Sequence, residues 1–194
     1  ARNVIAGKRP DLDDSIDGEF IFLEVPINEE FKVISSLYLT DLPKLINNKY
    51  QNNIQILSPQ KTKDFGTINL NTSIQKILHG TKKSLFGNKN FEFYIGDKVI
   101  ETSNKNDLGV MNGDIGSVLR KSKESYFFEF DGEEIEYSFE GIQSLELAYA
   151  ITVHKSQGSE YDYVIIQCSS AHSFMLKRNL IYTAITRGKK KVIM

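Results

Sequence analysis

The chain has 194 residues, 40% apolar and 25% charged, with 24 Lys and Arg against 25 Asp and Glu. That length carries one sizeable core, or one core with a small insertion; the near-zero net charge excludes capture of a polyanion by bulk charge, so any nucleic-acid contact must come from a local basic patch. Cys168 is the only cysteine, which excludes an internal disulfide and a cysteine-held zinc, and no apolar run reaches the ~20 residues of a membrane span.

Residues 1–19 read as a polar loop, with Pro10 and the acid-rich Asp11-Leu12-Asp13-Asp14. No long apolar region of a signal peptide opens the chain. It starts without Met and stops inside an apolar run, Lys191-Val192-Ile193-Met194, which reads as an excerpt of a longer protein. Phe20-Ile21-Phe22-Leu23 predicts a buried strand ended near Pro26. Asn28 is placed to cap a helix whose Phe31, Ile34, Leu37 and Tyr38 share one face, interrupted at Leu42-Pro43. Ile54-Gln55-Ile56-Leu57 predicts a second buried strand, closed by Ser58-Pro59. After a polar loop, Leu70, Ile74, Ile77 and Leu78 predict a helix ended by Gly80. Strand, helix, strand, helix in that order favours an α/β fold with a mainly parallel sheet flanked by helices.

The pattern changes between residues 96 and 143. Gly96-Asp97 and Asn112-Gly113 are turn signals. Asp131-Gly132 separates two alternating runs, with Tyr126, Phe128 and Phe130 on one face and Ile135, Tyr137 and Phe139 on the facing one, a hairpin pattern. About fifty residues of short strands predict an inserted small antiparallel β-barrel. The α/β rhythm then returns: Leu145 to Thr152 and Tyr163 to Cys168 as strands, Leu176 to Ile185 as a helix, Lys191 to Met194 as a last strand. Cys168, in an apolar run, reads as a buried inert thiol, in keeping with a reduced, cytoplasmic setting.

Two segments carry chemistry. Thr152-Val153-His154-Lys155-Ser156-Gln157-Gly158-Ser159-Glu160-Tyr161-Asp162 lies between buried strands, where open parallel sheets bind ligands. Gly158 lets backbone pass close to a ligand, and Thr152, Ser156 and backbone N–H groups suit phosphate oxygens. The bland alternative is a capping loop with Ser156 as the cap and His154 and Lys155 solvated. A hydrolase triad is disfavoured, because no G-x-S-x-G elbow is present. In the second segment, Arg178 to Gly188, Arg187 follows an apolar helix and precedes a strand. A rigid guanidinium there suits the charge of a transferring phosphoryl group; otherwise it is a helix C-terminal arginine favoured by the dipole. No G-x-x-x-x-G-K-[ST] loop occurs, since Gly7-Lys8 is followed by Arg9, and no acidic pair offers magnesium ligation. The chain by itself is expected not to hydrolyse ATP.

Together the segments resemble motifs V and VI of superfamily 1 DNA helicases of the RecD type, the family of the exodeoxyribonuclease V alpha subunit. Ala148 through Tyr161, with Thr152-Val153-His154-Lys155-Ser156-Gln157-Gly158, resembles motif V; Arg178 through Arg187, with Tyr182-Thr183-Ala184-Ile185-Thr186-Arg187, resembles motif VI. Ile56-Leu57-Ser58-Pro59, Gly66, Asn69-Leu70-Asn71 and Gln75 are similar to the motif IV region. Gly96-Asp97-Lys98-Val99 and Asn112-Gly113-Asp114-Ile115-Gly116 are similar to the start of the Src-homology-3-like barrel inserted in this domain. Gly7 and Pro10 resemble the link after motif III. The loop Gln60-Lys61-Thr62-Lys63-Asp64-Phe65 departs from the family in being more polar, with Lys61 or Lys63 either on a phosphate or solvated.

The resemblance implies that residues 1–95 are the first part of the second RecA-like motor domain, 96–143 the inserted barrel, and 144–194 the remainder with motifs V and VI. It implies a 5′-to-3′ helicase in which ATP and Mg2+ serve the full-length protein, with neither expected on this segment alone. Partners would be single-stranded DNA and the upstream RecA-like domain of the same protein, with a nuclease or recombination partner left open and no membrane. Arg187 would be the catalytic arginine finger. Gln157, Gly158, Glu160 and Arg187 would face nucleotide; Thr152, His154, Lys155, Ser156, Ser58, Pro59 and Asn69 would face DNA, with Gln60 lining the same cleft, and no residue is expected to ligate a metal. The alternatives are a single-stranded DNA-binding module without motor function, with barrel aromatics stacking on bases, and the helicase part of a conjugative relaxase.

Overall fold

The structure, a computed structural model, describes residues 19–46, 53–62 and 65–194. The expected opening loop with Gly7 and Pro10, and Lys63 with Asp64, lie outside them. The chain forms two compact units. One takes residues 1–70 with 150–194; the other is Asn71–Tyr149.

The first unit is built on a five-stranded, all-parallel sheet of β1 (Phe20–Ile21), β2 (Ile54–Ser58), β10 (Ala150–Thr152), β11 (Tyr161–Ile166) and β12 (Gly188–Ile193), in the order β1-β12-β11-β2-β10. Every residue of β2 is buried, as expected of a parallel strand covered on both faces, which reads as a nearly unbroken apolar run rather than an alternation. Ile54, Ile56, Leu57, Val164, Ile165 and Ala150 form the core. β1 is shorter than expected. Phe22 and Leu23 are exposed, and Leu23 N–H donates to the Met194 carbonyl.

The first helix is continuous where an interruption is expected. α1 (Glu30–Ser36) passes through a π-helical turn (Leu37–Asp41) into α2 (Leu42–Leu45), with Pro43 in the first turn of α2. Proline lacks the N–H and crowds the carbonyl four residues back; the wider turn, in which Leu42 N–H donates to Leu37 O, absorbs the misfit. Asn28 does not cap this helix. Glu29 takes that position without a side-chain bond, because Glu29 and Glu30 N–H both donate to the Pro26 carbonyl. At the other end of the unit, α4 (Arg178–Ile185) starts two residues later than expected, since Leu176 and Lys177 donate to His172 and Met175 carbonyls in a tight turn.

The second unit holds most of α3 (Thr67–His79), a short hairpin of β3 (Phe86–Gly87) and β4 (Glu92–Phe93), and an antiparallel sheet of β5 (Lys98–Glu101), β6 (Ile115–Ser122), β7 (Ser125–Phe130), β8 (Glu133–Tyr137) and β9 (Leu145–Leu147), ordered β8-β7-β6-β5-β9. The predicted hairpin forms in register, Tyr126 facing Tyr137 and Phe130 facing Glu133. Asp131 and Gly132 both have positive φ, 51° and 84°, as a two-residue primed turn requires. Tyr126, Phe128, Phe130 and Tyr137 are buried, whereas Phe139 is exposed, because β8 ends at Tyr137 and the chain turns away.

The buried face of α3 is partly polar. Ile77 and Leu78, expected to be apolar contacts, are exposed, while Asn71 and Gln75 are buried beside Leu70 and Ile74. Asn71 donates to the Leu147 carbonyl at 3.0 Å. Gln75 donates to the Glu92 carbonyl at 2.9 Å and to the Asp97 carboxylate at 2.5 Å. Asp97, fully buried, also accepts from Tyr149 Oη at 2.6 Å and Tyr94 N–H at 2.8 Å, and pairs with His79 Nε2 at 2.7 Å. A buried carboxylate is tolerated when its lone pairs are met this fully. Finally, the single strand expected over Leu145–Thr152 is two strands: β9 closes the antiparallel sheet and β10 joins the parallel one, so the chain passes between units at Ala148-Tyr149.

Candidate functional site

The parallel register sorts the predicted residues between two edges of one sheet. Thr152 pairs with Ser58, so both stand at the carboxyl ends of their strands. Tyr161 pairs with Gly188 where β11 and β12 begin, the amino edge. The segment between, residues 153–160, therefore runs from one edge to the other.

Its first half is a run of tight turns. Val153 N–H donates to Ser58 O at 3.0 Å and the Val153 side chain is buried, which anchors the segment beside β2. Thr152 Oγ1 accepts from Lys155 N–H at 3.3 Å, and Ser156 N–H donates to Thr152 O at 3.2 Å. Ser156 is fully buried and its hydroxyl donates to the Val153 carbonyl at 2.8 Å. Ser58 is likewise fully buried, its hydroxyl bonded within the loop to Gln60 O at 3.3 Å. Both hydroxyls shape turns, and the exposed groups are His154, Gln157 and, on α3, Asn69. Pro59 is buried, and its neighbour Gln60 bonds Thr62 O through its side chain at 2.6 Å while the Gln60 backbone carbonyl accepts Thr67 N–H at 3.0 Å. Gly158, at φ +90°, reverses the chain in a conformation that L side chains rarely adopt.

At the amino edge the second half meets α4's end. Arg187 Nη1 donates to Ser159 O at 2.9 Å, Nε to Thr183 O at 3.2 Å and Nη2 to Thr186 Oγ1 at 3.2 Å. The Arg187 carbonyl accepts from Tyr161 N–H at 2.8 Å. A guanidinium has five N–H donors, so two remain for another acceptor. Beside it Glu160 pairs with Lys189 at 3.2 Å, and Asp162 with Lys190 at 2.7 Å. The first of these pairs is exposed on both sides and contributes little to stability. Burial pushes the Tyr161 phenol up, opposed by Ser159 and by the Arg187 charge. Glu160 and Arg187 are thus brought together, with Gly158 two residues from Glu160; Thr152, Ser58 and Pro59 gather at the opposite edge; Gln157, expected with the first group, lies with His154.

Sequence reading missed the segment between the motifs. Phe174, Met175, Lys177 and Asn179 line an open pocket with Val153, His154 and Gln157. An exposed phenylalanine beside two basic residues, Lys177-Arg178, was the available signal. Among the described residues no group of three or more His, Cys, Asp or Glu is placed to hold a metal ion, and no helix is long and apolar enough to cross a membrane.

Residues 147–194 match the UvrD-like helicase C-terminal domain, and residues 70–130 the SH3 domain of ATP-dependent RecD-like DNA helicases. The chain is 34% identical over 141 residues to the ATP-dependent RecD2 DNA helicase of Deinococcus radiodurans, covering 71% of this chain and 19% of that protein. It is 31% identical to the RecBCD enzyme subunit RecD of Haemophilus influenzae, covering 73% and 21%. The chain therefore spans about a fifth of the length of these curated relatives. Among solved structures it resembles the Bacteroides Pif1 helicase crystallised with ADP-AlF3 and ssDNA, at TM-score 0.58 and 19% identity over 87% of this chain and 45% of that one. A second Bacteroides Pif1 structure bound to ssDNA gives TM-score 0.55 at 18% identity, over 84% and 48%. The fold is α/β and RecA-like, with an SH3-like antiparallel unit.

Proposed function

This chain belongs to the RecD-type superfamily 1 helicases, and from that premise we propose that it is the second motor domain of an ATP-dependent 5′-to-3′ DNA helicase. It supplies the arginine finger, Arg187, and part of the single-stranded DNA track. The phosphate loop comes from an upstream domain of the same protein. The boundaries proposed for the motor domain are residues 1–95 and 144–194, with 96–143 as its insertion, although the compact units divide after Leu70 and after Tyr149.

The observation that carries this reading is the placement of Arg187. Three bonds to Ser159, Thr183 and Thr186 fix the guanidinium at one sheet edge while two N–H groups remain for phosphate oxygens. A donor fixed before the reaction stabilises charge on a transferring phosphoryl group without reorganising. Gln157, Gly158 and Glu160 form the nucleotide side with Arg187, Gln157 standing where the segment turns toward the other edge. Thr152, His154, Lys155, Pro59 and Asn69 form the DNA side; Ser58 and Ser156 act there by holding the turns. Magnesium is a different matter. In this proposal the metal is held by the upstream domain.

The test is Arg187→Ala in the full-length protein. Turnover of ATP should fall about 10³-fold, the usual worth of such an arginine, with nucleotide binding largely retained. Turnover at the wild-type rate would remove Arg187 from the mechanism. Of the aromatics that a DNA-binding module would use for stacking, Tyr126, Phe128 and Phe130 are buried, whereas Phe127 is half-buried with the Arg120 guanidinium over its ring at 3.6 Å.

A further inference from the structure

Phe174 is 94% exposed, in the turn that leads into α4. A lone exposed apolar side chain is ordinary, and what singles this one out is its surroundings. It borders an open pocket of about 400 Å³ whose floor includes the buried Val153. The walls carry His154 and Gln157 from the turn after β10, and Lys177 and Asn179 from the start of α4. No Asp or Glu lines it. Two carboxamides offer a donor and an acceptor each, which suits the hydrogen-bonding edge of any base. An aromatic face provides stacking that every base accepts, and an adjacent lysine suits a backbone phosphate. An acid-free, cationic rim fits a polyanion better than an apolar protein segment.

We propose that Phe174 is a base-stacking residue and that this pocket seats a nucleobase of single-stranded DNA. The proposal rests on the reading of the chain as part of a DNA track, and it moves Gln157 from the nucleotide side to the DNA side. His154, at the pocket wall, then contacts the same nucleotide.

The chain contains no tryptophan, so Phe174→Trp introduces a single reporter at a position where the ring stands in solvent and folding does not depend on it. Titration with oligothymidylate at low salt should quench its emission. An abasic strand of equal length should bind without quenching. By anisotropy, Phe174→Ala in the full-length protein should weaken oligothymidylate binding about tenfold, Phe174→Tyr should restore it, and the abasic strand should bind wild type and Phe174→Ala alike. Binding without quenching, or equal losses on both strands, overturns the pocket and leaves the DNA-track reading standing. Failure of the wild-type full-length protein to bind any strand overturns both. Tryptophan emission that shifts to the blue with protein concentration, in the absence of DNA, would assign the ring to a protein contact and also overturn the proposal.

Discussion

Arg187 and Cys168 show how differently two side chains of the same unit are treated. Arg187 lends N–H groups to one carbonyl of the 153–160 segment, one of α4 and the neighbouring Thr186 hydroxyl. It can be recognised in the sequence only as an arginine before a glycine; the bond to Ser159 spans 28 residues of chain. Cys168 sits half-buried two residues past the end of β11, and burial, with the Glu30 charge adding to it, pushes its thiol up to about 12. Only the thiolate reacts, so alkylation by iodoacetamide at pH 8 should be slow in the folded protein and rapid in denaturant, followed by intact-protein mass. Equal rates in the two states would place the thiol in solvent. The apolar run around Cys168 predicts a buried strand residue; the strand ends at Ile166 and Cys168 is half-buried.

Among the elements, β5 poses the sharpest electrostatic question. Lys98 is buried, and desolvation holds its ammonium down at about 7, from an ordinary 10.5. In the unfolded chain the same group keeps its ordinary value. The fold favours the neutral amine, so the contribution to stability is full above pH 10.5, declines as pH falls and is lost once pH passes below about 7. Denaturant midpoints should therefore rise between pH 7 and pH 10, by at most about 1.4 kcal/mol per pH unit, and Lys98→Met should flatten that slope. A slope that survives the substitution would assign it to another group. Sequence pattern marked the Gly96-Asp97 turn that precedes β5 but gave no hint that a lysine points inward. Period-two alternation in the β7–β8 hairpin was readable because a strand's inward face repeats locally. The polar buried face of α3 was not, because Asn71 and Gln75 are matched by Leu147, Glu92 and Asp97, all remote in sequence.

At the scale of the whole molecule, the proposed function makes the chain one half of a two-domain motor. By itself it should bind single-stranded DNA weakly and with a steep loss on raising salt, since phosphate contacts release counterions; addition of the upstream domain should tighten binding. Tight, salt-resistant binding by the chain alone, measured by anisotropy on a labelled oligonucleotide, would instead favour a self-sufficient binding module. The sequence by itself determined the alternation of strands and helices, the barrel hairpin and the two motif segments, because apolar periodicity and turn residues act within a few positions of one another. Only the tertiary structure decided that Leu145–Thr152 divides between two sheets, that the 153–160 segment crosses from the carboxyl edge to the amino edge, and that Ser58 and Ser156 turn inward. Those outcomes follow from strand order and register, which are set by pairing between residues distant along the chain and leave no local trace.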